Sequence, residues 1–477
     1  MKYRTSPSRP SRLLRPALLA LALALALGSA GPLLAQEAFT PPDTSFGGRI
    51  NLQAPVAYPG DRVELAGEGF KPGQAVTLQR GATVLNPQPY RADAEGRFKA
   101  ALQLPGDAAI GRHPLLVRVD GPDAAQVFEL KVSPKLALSG QQGFAINSEP
   151  LPRGLYQSAY SAASGALFVT AAVGRPPVKE SQLLKVEPKT LKVVASANPP
   201  AAPAPAARSG QPPREGGVYA VYGVGVDDAN GNVWVTNTRQ NTVAVYRQSD
   251  LSLVRQFPQD SVPHSRDVIV DQKRGKAYVS ATGGNHIAVF DTRTLQHVGD
   301  IEVASGQRGK EFTPASLALD AEGGKLFSVN LAAPEAVVID TASDTVEKVL
   351  PLGHAVGAIG VAWDGGARRL LVVAQGSDNL LVVDPASGKV EHDVAVGAGP
   401  LNVAVDPASG LAYVSNRASG TIAVVDRDGR LVANLDGGTY PNHVHADGSG
   451  AVFAVNKSRG EDDPKGDRIT RLQVRRR

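Results

Sequence analysis

Between residues 402 and 435 the apolar positions fall into four short runs rich in Val, Ile, Leu and Tyr, at 403–405, 411–415, 421–425 and 431–435. Turn-forming residues at 407–410, 416–420 and 427–429 separate them. The pattern predicts an antiparallel meander of four strands. One meander buries too little surface to stand alone in water, so it needs neighbours to pack against.

The chain supplies them. Aligned on the residue that ends each first strand, the segments YSAASGALFVTA from Tyr160, DDANGNVWVTN from Asp227, DQKRGKAYVSA from Asp271, DAEGGKLFSVN from Asp320, DGGARRLLVVA from Asp364, DPASGLAYVSN from Asp406 and DGSGAVFAVN from Asp447 repeat one design. From Asp227 onward the spacings are 44, 49, 44, 42 and 41 residues, the length of a four-stranded propeller blade. The first spacing is 67, and a Pro/Ala-rich insertion at 199–217, unable to form a ladder, accounts for the excess. The last unit lacks a strand, because after Asp467 only RITRLQV is strand-like before the terminal arginines. The segment at 143–147 is the natural donor of that strand, and a ring closed by both ends of the chain leaves no end blade exposed.

A different pattern precedes the repeats. From 50 to 135 the residues alternate at period two, with Val63 and Leu65, Val76 and Leu78, then Phe98, Ala100 and Leu102, then Leu115, Val117 and Val119, and last Phe128, Leu130 and Val132 on one face. Pro59-Gly60, Pro72-Gly73, Glu95-Gly96 and Gly121-Pro122 mark the turns, a spacing that predicts a small β-sandwich. GEGFKPGQAVTL and ADAEGRFKAALQLP resemble immunoglobulin-like modules of bacterial exported proteins. Residues 36–49 are polar and aperiodic and read as a linker. In residues 1–35, Lys2, Arg4, Arg9, Arg12 and Arg15 precede an Ala/Leu run at 17–27 and small residues up to Ala35, which predicts a secretory signal peptide cleaved before Gln36. A membrane anchor is the alternative, but the apolar run is marginal for a span.

AYVSN at 412–416, VWVTN at 233–237, KAYVSA at 276–281 and LFSVN at 326–330, each followed by an apolar strand ending in Asp or Tyr, resemble the YVTN-type repeats of YncE-like bacterial exported propellers. The resemblance covers 139–474 and implies a seven-bladed β-propeller. The first and fifth units, LFVTA and LLVVA, lack the motif Asn. Some members of that family are associated with single-stranded DNA.

Removing residues 1–35 changes the charge picture. The formal net charge of +5 comes from 50 basic and 45 acidic residues, and that segment holds five basic and no acidic ones. The remainder is neutral, so no global field points to nucleic acid. The absence of cysteine excludes disulfides, c-type haem attachment and thiolate metal sites.

Loop lengths are unequal. Connections between first and second strands are tight, whereas the long segments 173–180, 199–217, 304–313 and 457–467 all fall between second and third strands or between blades. Elaborated loops on a rigid scaffold are where binding usually sits. Residues just before each first strand should ring the channel mouth on that face: Tyr222, His264, Arg266, Ser316, His354, Asn402, Asn442 and His443. Residues 417–420 should also see a ligand. This set could orient a polar or anionic ligand or bond neighbouring blades and channel water. His443 and His445 with His264 and His354, and His286 nearby, could form a metal site. No HExxH, GxSxG, GxxxxGK[ST] or GxGxxG motif occurs. The Asp repeated once per unit is a turn residue first. The loop face carries Arg175, Lys179, Arg208, Arg214, Arg308, Lys310 and others, offset by comparable acids.

These features predict a periplasmic or secreted, non-catalytic binding or scaffold protein without a cofactor, engaging a ligand or partner at the channel mouth. The alternatives are a metal- or quinone-assisted enzyme of lactonase or dehydrogenase type, known from other propellers, and single-stranded DNA binding.

Overall fold

The computed structural model describes residues 43–204 and 215–475. The expected signal segment, the first part of the linker, the centre of the 199–217 insertion with Arg208 and Arg214, and the last two arginines lie outside the described residues. Those described are all-β: the only helical pieces among them are two 3-10 turns at Gln141–Gly143 and Thr238–Gln240. None of their helices is long and apolar enough to cross a membrane.

The described chain forms two compact units. The smaller includes residues 65–100 and 115–128. Here the period-two alternation becomes burial: Leu65, Val76, Leu78, Leu115, Val117 and Val119 are buried, while Leu116 and Val127 on the opposite face are exposed. Phe128 stays half-buried. Phe98 sits edge-on to Phe70 at 5.0 Å and stacks on Tyr90 at 5.6 Å. Strand Ala75–Arg80 pairs with Gly111–Asp120, which pairs in turn with Ala124–Val132.

The larger unit holds a succession of four-stranded antiparallel meanders. The first runs through Leu155–Ser161, Ala166–Val173, Glu180–Val186 and Val193–Ala197, and the sixth through Pro400–Asp406, Leu411–Asn416, Thr421–Val425 and Leu431–Asp436. First strands lie beside first strands from each meander to the next, and Leu155–Ser161 lies beside Pro441–Ala446, so the row closes on itself. Position within a meander decides the polarity pattern. Second and third strands, such as Asn232–Asn237 and Asn379–Val383, lie between neighbouring sheets and are buried throughout, which explains their unbroken apolar runs. Fourth strands form the outer edge and are largely exposed, as in Gln296–Glu302.

The core is shared between sheets. Trp234 of the second meander sits 5.6 Å from Phe290 of the third, and Phe327 stacks on Trp363 at 5.1 Å. At the closure, Leu155, Leu167 and Val169 pack with Phe453, Val455 and Ile469. The last meander, Pro441–Ala446, Ala451–Asn456 and Arg468–Val474, takes its fourth strand from Phe144–Pro150, in a register running from Arg468 opposite Pro150 to Val474 opposite Phe144. Tight turns join first to second strands. Asp271 and Asp406 accept backbone N–H groups within their turns, and Gly275, at φ +66, adopts the left-handed conformation that closes one of them.

Candidate functional site

One local irregularity builds the mouth. The first strands carry a β-bulge near their start: two residues, Tyr156 and Gln157, stand opposite Thr170; Arg266 and Asp267 stand opposite Ser280; and Leu401 and Asn442 are the extra residues of the sixth and seventh meanders. A bulge re-aims side chains that a regular strand would alternate. Here it turns Tyr156, Gln157, Arg266, Leu401 and Asn442 into the channel.

The Ser or Thr of the repeat motif holds the bulge in place. Thr236 Oγ1 accepts the Gly223 N–H at 2.7 Å and Ser280 Oγ accepts the Asp267 N–H at 3.1 Å, while Ser328 Oγ donates to the Ser316 carbonyl at 3.0 Å. The motif Asn ties the incoming loop: Asn237 Nδ2 donates to the Tyr219 carbonyl at 2.9 Å, and Asn330 reaches the Glu311 carbonyl at 3.0 Å while accepting from Thr313 N–H at 2.9 Å. The motif Asn thus anchors the loop that leads into the first strand.

A second set of bonds latches each sheet to the next. Gln157 Oε1 accepts Val224 N–H at 3.1 Å, Asp267 Oδ2 accepts Leu317 N–H at 2.9 Å, and Asn402 Oδ1 accepts Val444 N–H at 2.8 Å. Ser158 N–H points to His443 Nδ1 at 3.4 Å across the closure, which leaves the proton on Nε2. Burial pushes the His443 imidazole down to about 3 and that of His445 down to about 4. Both are neutral at physiological pH.

Inside this ring lies a cavity of about 330 Å³. Of the residues the sequence assigns to the mouth, Tyr222, His264, Arg266, Ser316, Asn402, Asn442 and His443 line it. His354 does not: it is exposed in the turn between Leu352 and Ala355, outside the lining. Tyr156, Gln157, Arg239, Gln375, Arg417 and Lys457 line it as well. Arg417 belongs to the 417–420 segment that the sequence places in view of a ligand; Lys457, like Arg417, directly follows a motif Asn, Asn456, and that adjacency is the sequence signal that would have placed it there.

The cavity is cationic. Arg239, Arg266, Arg417 and Lys457 line it, and no aspartate or glutamate does among the described residues. Acids balance the loop face as a whole but sit away from the cavity: Glu461 pairs with Arg153 at 2.8 Å, and Glu215 pairs with Lys179. Burial lowers Arg266, with Asp267 opposing the shift, and burial also lowers Arg417. Lys457 stands 3.5 Å above the Tyr156 ring; burial first, then Arg417 and Arg239, pull its ammonium down to about 7. Burial lowers the His264 imidazole too, followed by Arg239 and Arg266. Tyr156 and Tyr222 meet edge-to-face at 4.6 Å, and burial pushes the Tyr222 phenol up to about 12. Arg417 reaches the Asn442 side-chain oxygen, and Asn442 donates to the Tyr156 carbonyl at 2.7 Å. Among the described residues no group of three His, Asp or Glu side chains is arranged to hold a metal ion.

Such a ring of meanders around a central polar mouth is a β-propeller. The chain matches no family model. It is 24% identical over 317 residues to the protein YncE of Salmonella typhi, an overlap of 64% of this chain and 82% of that one, and 24% identical over 255 residues to YncE of Escherichia coli K12, 51% and 65%. Among solved structures, a catalytically inactive virginiamycin B lyase from Staphylococcus aureus with quinupristin superposes with a TM-score of 0.53 at 14% identity, over 70% of this chain and all of that one. Hydrazine synthase from Kuenenia stuttgartiensis gives 0.52 at 15%, over 67% and 96%. These structures share the propeller fold. In sequence the chain is similar to the YncE-like propellers.

Proposed function

We propose that the chain is an exported, non-catalytic binding protein: a seven-bladed propeller over 139–474, preceded by an immunoglobulin-like sandwich over 50–135 that acts as spacer or second contact, and delivered to the periplasm or beyond by residues 1–35. The ligand enters the channel mouth. The observation that carries this reading is the preorganised cationic cavity, whose lining is fixed by bulges and inter-sheet latches. A site already ordered loses little conformational entropy on binding.

Leu401 lines this cavity from a bulge position, and Leu401→Trp would fill it. Native mass spectrometry of protein recovered from its own cell envelope should show a bound species that this variant loses. Equal retention by both would move the site elsewhere.

Single-stranded nucleic acid is the second reading, favoured by interleaved Tyr and cationic residues at the mouth. The Tyr156 ring is already covered by Lys457, and the Tyr440 ring by Arg417 at 4.9 Å and Arg459 at 5.1 Å, so stacked bases must displace these cations. Oligonucleotide binding that weakens steeply with salt would support this reading; absence of binding at low salt would remove it.

A further inference from the structure

We propose that the mouth takes a compact oxyanion of two or more negative charges, a small polycarboxylate or phosphate compound, rather than a cation or a neutral sugar. This rests on the reading that the mouth holds a ligand, and it adds the chemistry of that ligand.

The first support is charge without a direct ion pair, with only Asp267 acting on Arg266 and Asp467 on Lys457 from beyond contact distance. Elsewhere several partly buried cations have acids: Arg369 forks onto Glu391 at 2.5 and 2.9 Å, Lys276 reaches Asp344 at 2.6 Å, and Arg274 reaches Asp271 at 2.9 Å. Among the described residues, Arg239, Arg266, Arg417 and Lys457 form no ion pair with any carboxylate. Arg266 Nε is buried without a hydrogen-bond partner. A buried, unsatisfied donor on a charged group needs an explanation, and pairing with an anionic guest provides one.

The second support is independent of charge. The latches consume acceptors: Gln157 Oε1, Asp267 Oδ2, Asn402 Oδ1 and His443 Nδ1 all face backbone N–H groups of the next sheet, and Asn442 Oδ1 faces Arg417. The complementary donors remain, namely Arg266 Nε, the Asn402 amide and His443 Nε2–H. A cavity that has engaged these acceptors and left these donors free favours an acceptor-rich guest. Its volume of about 330 Å³ lies at the small end of ligand sites, which favours a compact molecule over a polymer segment.

Isothermal titration of the full chain with citrate and, separately, inorganic pyrophosphate tests this at low and at physiological salt. Saturable one-site binding of either probe is expected, weaker at the higher salt, with neither glucose nor putrescine binding. Whichever probe binds more tightly tells carboxylate from phosphate chemistry. Arg417→Gln should lower affinity at least tenfold, and Lys348→Gln, the same charge change outside the cavity, should leave it unaltered. Asn402→Asp keeps the acceptor for Val444 and puts a carboxylate in the cavity; it too should lose at least tenfold while melting as the parent does. Equal probe affinity in Asn402→Asp and the parent, or no binding of either probe, overturns the proposal. If an envelope-derived species is still lost on Leu401→Trp while both probes fail, the oxyanion chemistry falls and the binding site stands. If neither probe nor envelope species binds, both fall.

Discussion

Lys457 offers the sharpest test of the mouth's electrostatics. Its ammonium is enclosed by Tyr156, Arg417 and Arg239, and burial is the largest cause of a fall from 10.5 to about 7. At ~1.4 kcal/mol per pH unit the fall corresponds to a ceiling of about 5 kcal/mol. The side chain keeps partial access to solvent, so screening reduces the usable figure to about 2 kcal/mol. The folded-state pKa lies below the unfolded one, so between about pH 7 and pH 10.5 the unfolded chain binds more protons and stability rises with pH. Below about pH 7 the penalty is fully present. Lys457→Met removes the ionisable group and keeps the apolar stem. Denaturant midpoints for parent and variant, taken from pH 6 to pH 10 in buffers free of phosphate and citrate, should show the variant more stable by about 2 kcal/mol at pH 6. The two curves should converge near pH 10. Parallel curves would refute the account and place the ammonium in water.

Other expectations are brief. Because the Lys457 ammonium discharges near neutrality, oxyanion affinity should fall as pH rises from 6 to 9, and Lys457→Met should flatten that profile in a titration series. Thr236→Val leaves the buried Gly223 N–H without its acceptor and should cost about 1–3 kcal/mol by chemical denaturation; a neutral result would mean that the bulge needs no pin. Phe144 is buried against Tyr413, edge-to-face at 6.3 Å, and Phe144→Ala should cost about 3–5 kcal/mol and hasten proteolysis at the closure. Unchanged cleavage would show that the closing strand holds by its ladder alone.

The architecture is legible in sequence because it repeats. Val, Ile and Tyr runs mark buried strands, and from Asp227 onward Asp with Gly marks the tight turns. The shortfall after Asp467 points to a strand near residues 143–147, where Phe144–Pro150 pairs with Arg468–Val474. The mouth is only partly legible. Ranking residues by position before each first strand brings in Arg266 and Asn402, but it also brings in His354, which the turn before Ala358 leaves in solvent. It passes over Tyr156 and Gln157, whose inward aim depends on a bulge that period-two reasoning does not contain. Charge was harder still. Counting along the loops gives a balanced face, whereas folding sends Arg417 and Lys457 inward and leaves Glu461 with Arg153 outside. Balance in composition therefore coexists with separation in space.

The pairing of Phe144–Pro150 with Arg468–Val474 also orders events in time. During synthesis the strand made first among the meanders must wait, unpaired and with Phe144 uncovered, until the strand made last appears. Every intermediate before that moment has two free edges, and such edges recruit other chains. The ring is thus vulnerable for almost the whole of its production and protected only at the end. Contacts of such long sequence separation form late and slowly. A segment leaving the ribosome or a translocation pore early would profit from a holding partner until its mate arrives.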